Sequence, residues 1–199
     1  MEHTIFLPKG KTLVRDVLFV NSGDKKFVQV EQDRDTGHYV VRTSDSVAVL
    51  VYVPERHEIL FISQCRPAAV CFDNPHGYCV EMPAGRFDKD VSVQDLVVLE
   101  VQQEAGVTIT KDDVQFFNQG MPVYLSEGVL TERIYLAYVE VELSQIEKTD
   151  RIYGCPDEGE KIVRKFVPVS DLLEMTFDNI VTMTLVNCFH LYSLGPDQS

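Results

Sequence analysis

The chain has 199 residues, 45% of them hydrophobic and 25% charged, as in an ordinary soluble protein with one substantial domain or a domain with an appended subdomain. No stretch approaches the roughly 20 apolar residues needed to cross a bilayer, and the amino terminus lacks the apolar core of a signal peptide, so we expect a cytoplasmic protein. The net charge of −13 argues against nucleic acid or an anionic membrane as the main partner.

The first part of the chain reads as short strands. Three runs rich in β-branched and aromatic residues predict them: Val14–Val20, Lys25–Asp33 and His38–Thr43. A turn is predicted near Gly37, so the runs suit a small antiparallel sheet or hairpin arm. We expect residues 1–43 to form this strand arm and residues 44–199 to form the main domain.

Two β-rich runs come next and form a pair. Ser46–Val53 and Glu58–Cys65 are separated by the short segment Pro54–His57. Their apolar, β-branched composition predicts a central hairpin with buried faces. Tyr78–Gly85 reads as a further strand that runs into a turn.

One helix is predicted at Val93–Ala105. Ser92 begins it, with Asp95 three residues later as a capping signature, and Gly106 ends it. The remaining segments are three strands and two helical segments: Val114–Gly120, Arg133–Glu142, Lys161–Val169, Ser170–Met175 and Asp178–Tyr192. The order of strands, helix, strands and helix predicts an α+β fold, with an α/β/α sandwich around a mixed sheet.

Two carboxylates, Glu100 and Glu104, lie four residues apart on this helix and are therefore stacked on one face. A solvated helix face is the simplest interpretation of such a pair. The helix is otherwise strongly apolar, however, and a glycine turn precedes it closely, so a loop can bring backbone carbonyls near both carboxylates. Two carboxylates, a carbonyl and waters suit Mg²⁺ or Mn²⁺, and a bound dication would turn the repulsion between the carboxylates into attraction.

The same segment resembles the signature of the Nudix hydrolases, G-x5-E-x7-R-E-U-x-E-E-x-G-U, in which U is a bulky apolar residue. The residues that match it without a gap are Gly85, Glu100, Val101, Glu104, Gly106 and Val107. Three positions depart from it, where Val91, Leu99 and Gln103 replace a glutamate, an arginine and a second glutamate.

The departures bear on how well such a site would work. Losing the charges at Val91 and Leu99 together can replace an ion pair by hydrophobic contact at little cost. Gln103 keeps the shape of glutamate but removes one negative charge from the metal site. We therefore expect a site with fewer metal ions or a weaker affinity for them, and an activity that is reduced or altered.

Motifs outside this segment resemble the Nudix branch that hydrolyses ADP-ribose and nucleotide sugars. They are EMPAG at Glu81–Gly85, the Gln-x-Arg motif at Gln64–Arg66, YLSEGVLTER at Tyr124–Arg133 and the acidic loop PDEGEKI at Pro156–Ile162. The resemblance covers roughly Arg42–Val169. It implies a Nudix-type α/β/α sandwich with a mixed sheet, and a homodimer that pairs through the antiparallel strand arm.

The resemblance also assigns roles to residues. Metal ligands would be Glu100, Glu104, the backbone carbonyl of Ala84 and Glu158. Glu160 would be the catalytic base beside the ions held by Glu100 and Glu104. Substrate contacts would come from Arg66, Arg42, Glu81 and Arg133. Without the resemblance, the acidic loop would be read as a solvated surface run and Arg66 as a surface ion pair.

These features predict a Mg²⁺-dependent enzyme, with Mn²⁺ as a substitute, that acts on a small nucleotide. It would hydrolyse the pyrophosphate bond of ADP-ribose or a nucleoside diphosphate sugar to a nucleoside monophosphate and a sugar phosphate. One alternative is a catalytically impaired Nudix-fold module that binds nucleotide or regulates another protein. Another is a different substrate class, such as dinucleoside polyphosphates or coenzyme A.

Overall fold

The structure is a computed structural model, and it describes residues 15–20, 28–71, 73–87, 90–149 and 151–193. For residues 15, 16, 18–20 and 158 the description covers the backbone alone. The beginning of the first predicted strand and residues 25–27 of the second therefore lie outside the described residues.

The described residues form strands β1 to β11 and helices α1 and α2, joined by short 3₁₀ turns. The strands are Arg15–Val20, Gln29–Asp33, Tyr39–Arg42, Ser46–Val53, Glu58–Cys65, Tyr78–Glu81, Ala84–Arg86, Gln115–Phe116, Val123–Tyr124, Arg133–Glu140 and Val163–Pro168. The helices are α1 at Val93–Ala105 and α2 at Ile180–Ser193. Neither is long and apolar enough to span a membrane, and the same holds for every helix in the described ranges.

Most predicted elements are confirmed. The turn predicted at the end of Tyr78–Gly85 is wrong, because Ala84–Arg86 is the strand β7, and one predicted strand is wrong in extent. The strand predicted at Val114–Gly120 is reduced to the two residues of β8, and a 3₁₀ turn follows at Asn118–Gly120. Asn118 and Gln119 have φ angles of 51° and 54°, a left-handed conformation that cannot continue a strand. The helical segment predicted at Ser170–Met175 is a 3₁₀ helix at Val169–Glu174.

The smaller of two compact units contains the described residues up to Ser44 together with Tyr124–Arg133. Its sheet has the antiparallel order β1-β2-β3. Arg42 of β3 donates two hydrogen bonds, 2.6 and 3.0 Å long, to the carboxylate of Glu31 on β2, which is 4% exposed. A domain boundary at residue 43 and the pairing of two copies through this arm stay predictions.

The larger unit is built on a mixed sheet in the order β11-β5-β4-β10-β8. The pair β4–β10 is parallel, whereas β5 is antiparallel to both β4 and β11. Short strands off this path belong to the same sheet: β6 pairs with β5, β7 pairs with β4, and β9 pairs with β10. The predicted hairpin at Ser46–Val53 and Glu58–Cys65 is thereby confirmed as the pair β4–β5.

The two helices cover opposite faces of this sheet. Alternate residues of β4, from Val47 to Val53, share one apolar cluster with Leu96, Val97 and Val101 of α1. On the other face, the ring of Tyr52 lies 5.0 Å from that of Phe189 on α2. Because successive side chains of a strand point to opposite faces, this arrangement is an α/β/α sandwich, and the predicted fold class is confirmed.

The limits of α1 follow from its caps. The Ser92 hydroxyl oxygen accepts a hydrogen bond from the Asp95 N–H at 3.1 Å, which satisfies one free donor of the first turn. Gly106 ends the helix with φ 63° and ψ 38°. An added Cβ there would lie 2.4 Å from Cε1 of Tyr153, so both the backbone conformation and the space require glycine.

Leu60→Ala should destabilise the protein by about 2–5 kcal/mol, because Leu60 is 0% exposed within the apolar cluster beneath α1. Leu173→Ala is the matched control, since Leu173 is 83% exposed and surface changes stay within about 0.5 kcal/mol. Urea unfolding of both variants measures the difference. Equal midpoints for the two variants would contradict the described core.

Candidate active site

Four parts of the larger unit supply the side chains of the candidate site. They are the second half of α1 with Glu100 and Glu104, strand β7 with Ala84 and Gly85, the acidic loop with Glu160, and the ends of β5 and β6 with Arg66 and Glu81. These residues lie far apart in the sequence. Packing α1 against β4, which pairs with β7, brings the first two parts together.

Glu104 is the most buried charged group of the site, with 2% of its surface exposed. Its Oε2 accepts a hydrogen bond from the Ala84 N–H at 2.7 Å. Burial raises the pKa of Glu104 well above its ordinary range, and the negative charges of Glu100 and Glu160 raise it further. The Ala84 hydrogen bond and the charge of Arg66 lower this pKa, but by less than burial and the two carboxylates raise it.

Glu100 lies against the backbone of β7. A Cβ added to Gly85 would stand 2.0 Å from both Cδ and Oε1 of Glu100, so only glycine leaves room for this carboxylate. Glu104 meets the same strand one residue earlier, at Ala84. The helix carboxylates thus converge on β7, which explains the glycine at position 85.

Arg66 pairs with Glu81 through two hydrogen bonds of 2.9 and 3.0 Å, and Glu81 is 5% exposed. Burial lowers the pKa of Arg66, but the hydrogen-bonded Glu81 and the charges of Glu104 and Glu160 outweigh it, so the pKa is raised. Arg66 therefore forms an ion pair, as the sequence predicts when the family resemblance is left aside. Its charge also acts on the carboxylates of the site.

The acidic loop contributes Glu160, whose charge acts on both Glu104 and Arg66. Its Oε2 accepts a hydrogen bond from the Cys155 N–H at 2.8 Å. The side chain of Glu158, a predicted metal ligand, lies outside the described residues. Sequence reasoning missed Gly154 and Cys155, which act through backbone atoms; only the glycine gave a signal, and its φ is 93°.

Two predicted substrate residues belong to the smaller unit. Arg42 is exposed and holds the buried Glu31 as described above. Arg133 is half-buried and is the first residue of β10. Their roles in substrate binding stay predictions.

The three departures from the signature lie in different surroundings. Val91 is half-buried and packs against the apolar cluster. Leu99 is 37% exposed, so a charge there would not be stranded in the interior. The replacement of an ion pair by hydrophobic contact at these two positions stays a prediction. Gln103 is exposed, and its backbone carbonyl accepts a hydrogen bond from the Gly154 N–H at 3.0 Å.

A divalent cation is compatible with this arrangement. Glu104 is a buried carboxylate with carboxylate neighbours and a raised pKa, and a nearby dication would favour its ionised form. Within the described ranges, no three His, Cys, Asp or Glu side chains are grouped to hold a metal ion. Mg²⁺ needs no such group, because it is commonly held by one or two carboxylates, with waters and substrate phosphates as the other ligands.

The raised pKa of Glu104 makes stability depend on pH. A carboxyl group with a higher pKa in the folded state binds its proton more tightly there than in the unfolded chain. Its contribution to stability is complete below the ordinary glutamate pKa of about 4.3. That contribution is lost as the pH rises through the raised pKa of the folded state.

Glu104→Gln should therefore raise the melting temperature at neutral pH in the presence of chelator. A glutamine keeps an oxygen acceptor for the Ala84 N–H but carries no charge. The difference in melting temperature from the parent protein should shrink as the pH falls towards about 4.3, the ordinary pKa of glutamate. Glu174→Gln, on an exposed glutamate, is the control and should show no such trend. A lower melting temperature for Glu104→Gln at neutral pH would contradict the prediction.

No protein-family model matches the chain. A curated relative, the ADP-ribose pyrophosphatase of Haemophilus influenzae, is 28% identical over 117 residues, which are 58% of this chain and 50% of the relative. The chain thus spans about half the length of the curated relative that it matches. Over somewhat more than half of its own length, this chain is similar to an ADP-ribose pyrophosphatase.

Proposed function

We propose that this protein is a Nudix-type pyrophosphohydrolase. It would hydrolyse ADP-ribose or a nucleoside diphosphate sugar, with Mg²⁺, to a nucleoside monophosphate and a sugar phosphate. The observation that carries the proposal is the buried Glu104, held against β7 among the charges of Glu100, Glu160 and Arg66. Similarity to an ADP-ribose pyrophosphatase supports the same substrate class.

Glu100, Glu104 and the Ala84 carbonyl would hold the metal ion. When bound, Mg²⁺ would neutralise diphosphate oxygens and make a water molecule more acidic. Glu104 would then stay ionised at neutral pH, because an adjacent positive charge lowers a carboxyl pKa.

Glu160 would accept the proton of the attacking water. The hydrogen bond from the Cys155 N–H fixes one of its oxygens and leaves the carboxylate further lone pairs with which to accept that proton. The water oxygen forms a bond to one phosphorus, and the bridging P–O bond breaks. The electron pair of that bond leaves with the second phosphate, which departs as part of the other product.

Arg66 would contact the diphosphate from the end of β5. Its guanidinium already uses two donors on Glu81, and its remaining N–H groups suit phosphate oxygens. Glu81 would therefore orient Arg66. We further propose that two copies pair through the strand arm and that the protein acts in the cytoplasm.

A module that binds nucleotide without turnover is the second candidate. Gln103 removes one of the carboxylates of the signature, and in the described ranges no group of three possible ligand side chains is assembled. A site with fewer negative charges holds divalent ions less tightly. Binding of ADP-ribose without hydrolysis is the outcome that this candidate predicts.

Turnover of ADP-ribose, UDP-glucose and GDP-mannose, measured by coupled phosphate release, tests the proposal. Hydrolysis of at least one substrate with Mg²⁺, abolished by chelator, is expected. Glu160→Gln should lower kcat by about 10²–10⁴-fold, the usual contribution of a general base. Glu174→Gln should leave turnover unchanged, because its side chain is exposed on the 3₁₀ helix before α2.

Two results would decide against hydrolysis. One is nucleotide binding by calorimetry with no turnover of any of the three substrates, which would favour the binding module. The other is turnover that is the same in the parent protein and in Glu100→Gln and Glu104→Gln, which would remove the metal site from the reaction.

Gly85→Ala tests the position of Glu100 without changing any charge. The new Cβ would displace the Glu100 carboxylate, so we expect Mg²⁺ activation to require more metal and kcat to fall. Gly128→Ala is the matched control, since a Cβ there meets no atom within 4 Å. A magnesium titration of activity measures both variants. Identical titration curves would show that Glu100 does not need the space at Gly85.

A further inference from the structure

Both flanks of the acidic loop bond to the last turn of α1. The final carbonyls of a helix have no partner within the helix and must find one elsewhere. The Gly154 N–H, which precedes the loop, donates to the Gln103 carbonyl at 3.0 Å. Arg164, which follows the loop, donates from Nη1 to the Ala105 carbonyl at 3.1 Å. The loop is thereby joined to the helix turn that carries Glu104.

Tyr153 lies at the start of the loop, close to both of these hydrogen bonds. Its backbone pairs with Ile162 through hydrogen bonds of 2.8 and 3.1 Å, which close the loop. The side chain is 1% exposed and fills the space left by the missing side chain of Gly106. The guanidinium carbon of Arg164 lies 5.0 Å from the centre of the tyrosine ring, within cation–π distance.

The loop also fixes its glutamate internally. The Cys155 N–H donates to Glu160, and the Glu160 N–H donates to the Cys155 carbonyl at 3.2 Å. A Cβ on Gly154 would lie 2.7 Å from Cβ of Glu160, so Gly154, just before the loop, is in close contact with the loop glutamate. The position of Glu160 is therefore set by the same residues that attach the loop to α1.

We propose that Arg164 and Tyr153 are positioning residues that fix the position of Glu160 relative to the carboxylates of α1. The proposal rests on the proposed function, in which Glu160 accepts the proton of the attacking water. A shift of about 1 Å in a reacting group can cost on the order of 100-fold in rate. An arginine that bonds two separate carbonyls, those of Ala105 and Glu147, resists such a shift.

Arg151 provides a matched comparison for Arg164. Its guanidinium carbon lies 4.6 Å from the centre of the same tyrosine ring. Its side chain is 53% exposed, and it donates to the Glu147 carboxylate at 3.1 Å. Among the described residues it has no hydrogen bond to α1. The two arginines share the ring contact, but only Arg164 bonds to the helix.

The first experiment is a double-mutant cycle on ADP-ribose hydrolysis. Arg164→Met should lower kcat by about 10–100-fold with KM unchanged, because the reacting group moves while substrate binding remains. In the Glu160→Gln background the same change should cause no further loss, since the base is already absent. Arg151→Met should leave kcat unchanged. Equal losses from Arg164→Met in both backgrounds would overturn the proposal and leave the proposed function intact.

The second experiment does not depend on turnover. Hydrogen–deuterium exchange should be faster in Arg164→Met than in the parent protein at the amides of Gly154, Cys155 and Glu160, and unchanged in Arg151→Met. Unchanged exchange in Arg164→Met would overturn the positioning role even if the protein hydrolyses none of the substrates. If Arg164→Met does not fold, Arg164→Lys, which keeps the charge but cannot span both carbonyls, replaces it in both experiments.

Discussion

The site depends on a single buried carboxylate. Glu104 is hydrogen-bonded to β7 and has 2% of its surface exposed, and the charges of two other carboxylates, Glu100 and Glu160, act on it. Taking such a charge from water is costly unless hydrogen bonds and opposite charges replace the lost hydration. The Ala84 N–H and Arg66 provide part of that compensation, and the pKa of Glu104 stays raised. The proposed divalent ion would supply the remainder, so the same burial that destabilises the ionised carboxylate would favour binding of that ion.

The surrounding fold limits how this carboxylate can move. The apolar cluster fixes α1 against β4 and β5, and α1 also contacts β7, which pairs with β4. Gly85 allows the close approach of Glu100, and Gly106 allows that of Tyr153. The two glycines therefore allow close contacts at two different places on the same helix. Gly85 leaves space for the Glu100 carboxylate, and Gly106 leaves space for Tyr153, which begins the loop that carries Glu160.

The order of elements was predictable because it is encoded locally. An apolar hairpin, the Ser92 cap and the Gly106 stop are short-range signals, and β4, β5 and α1 lie at the predicted residues. The prediction of a strand at Val114–Gly120 was wrong because Asn118 and Gln119 adopt a left-handed conformation. Their residue types permit this conformation but do not require it, so the sequence does not reveal it. Of the site, the spacing of Glu100 and Glu104 placed both on one helix face, but it could not tell a solvated face from a buried one.

The sequence by itself determined the α/β/α class, the helix with its two carboxylates and the position of an acidic loop, because periodicity, caps and turns act between near neighbours. Only the tertiary structure decided that Glu104 is buried while Gln103 is exposed, that Arg66 pairs with Glu81, and that Arg164 bonds to α1. Those contacts join residues from different elements, and long-range packing sets their burial and charge environment. No short pattern carries that information.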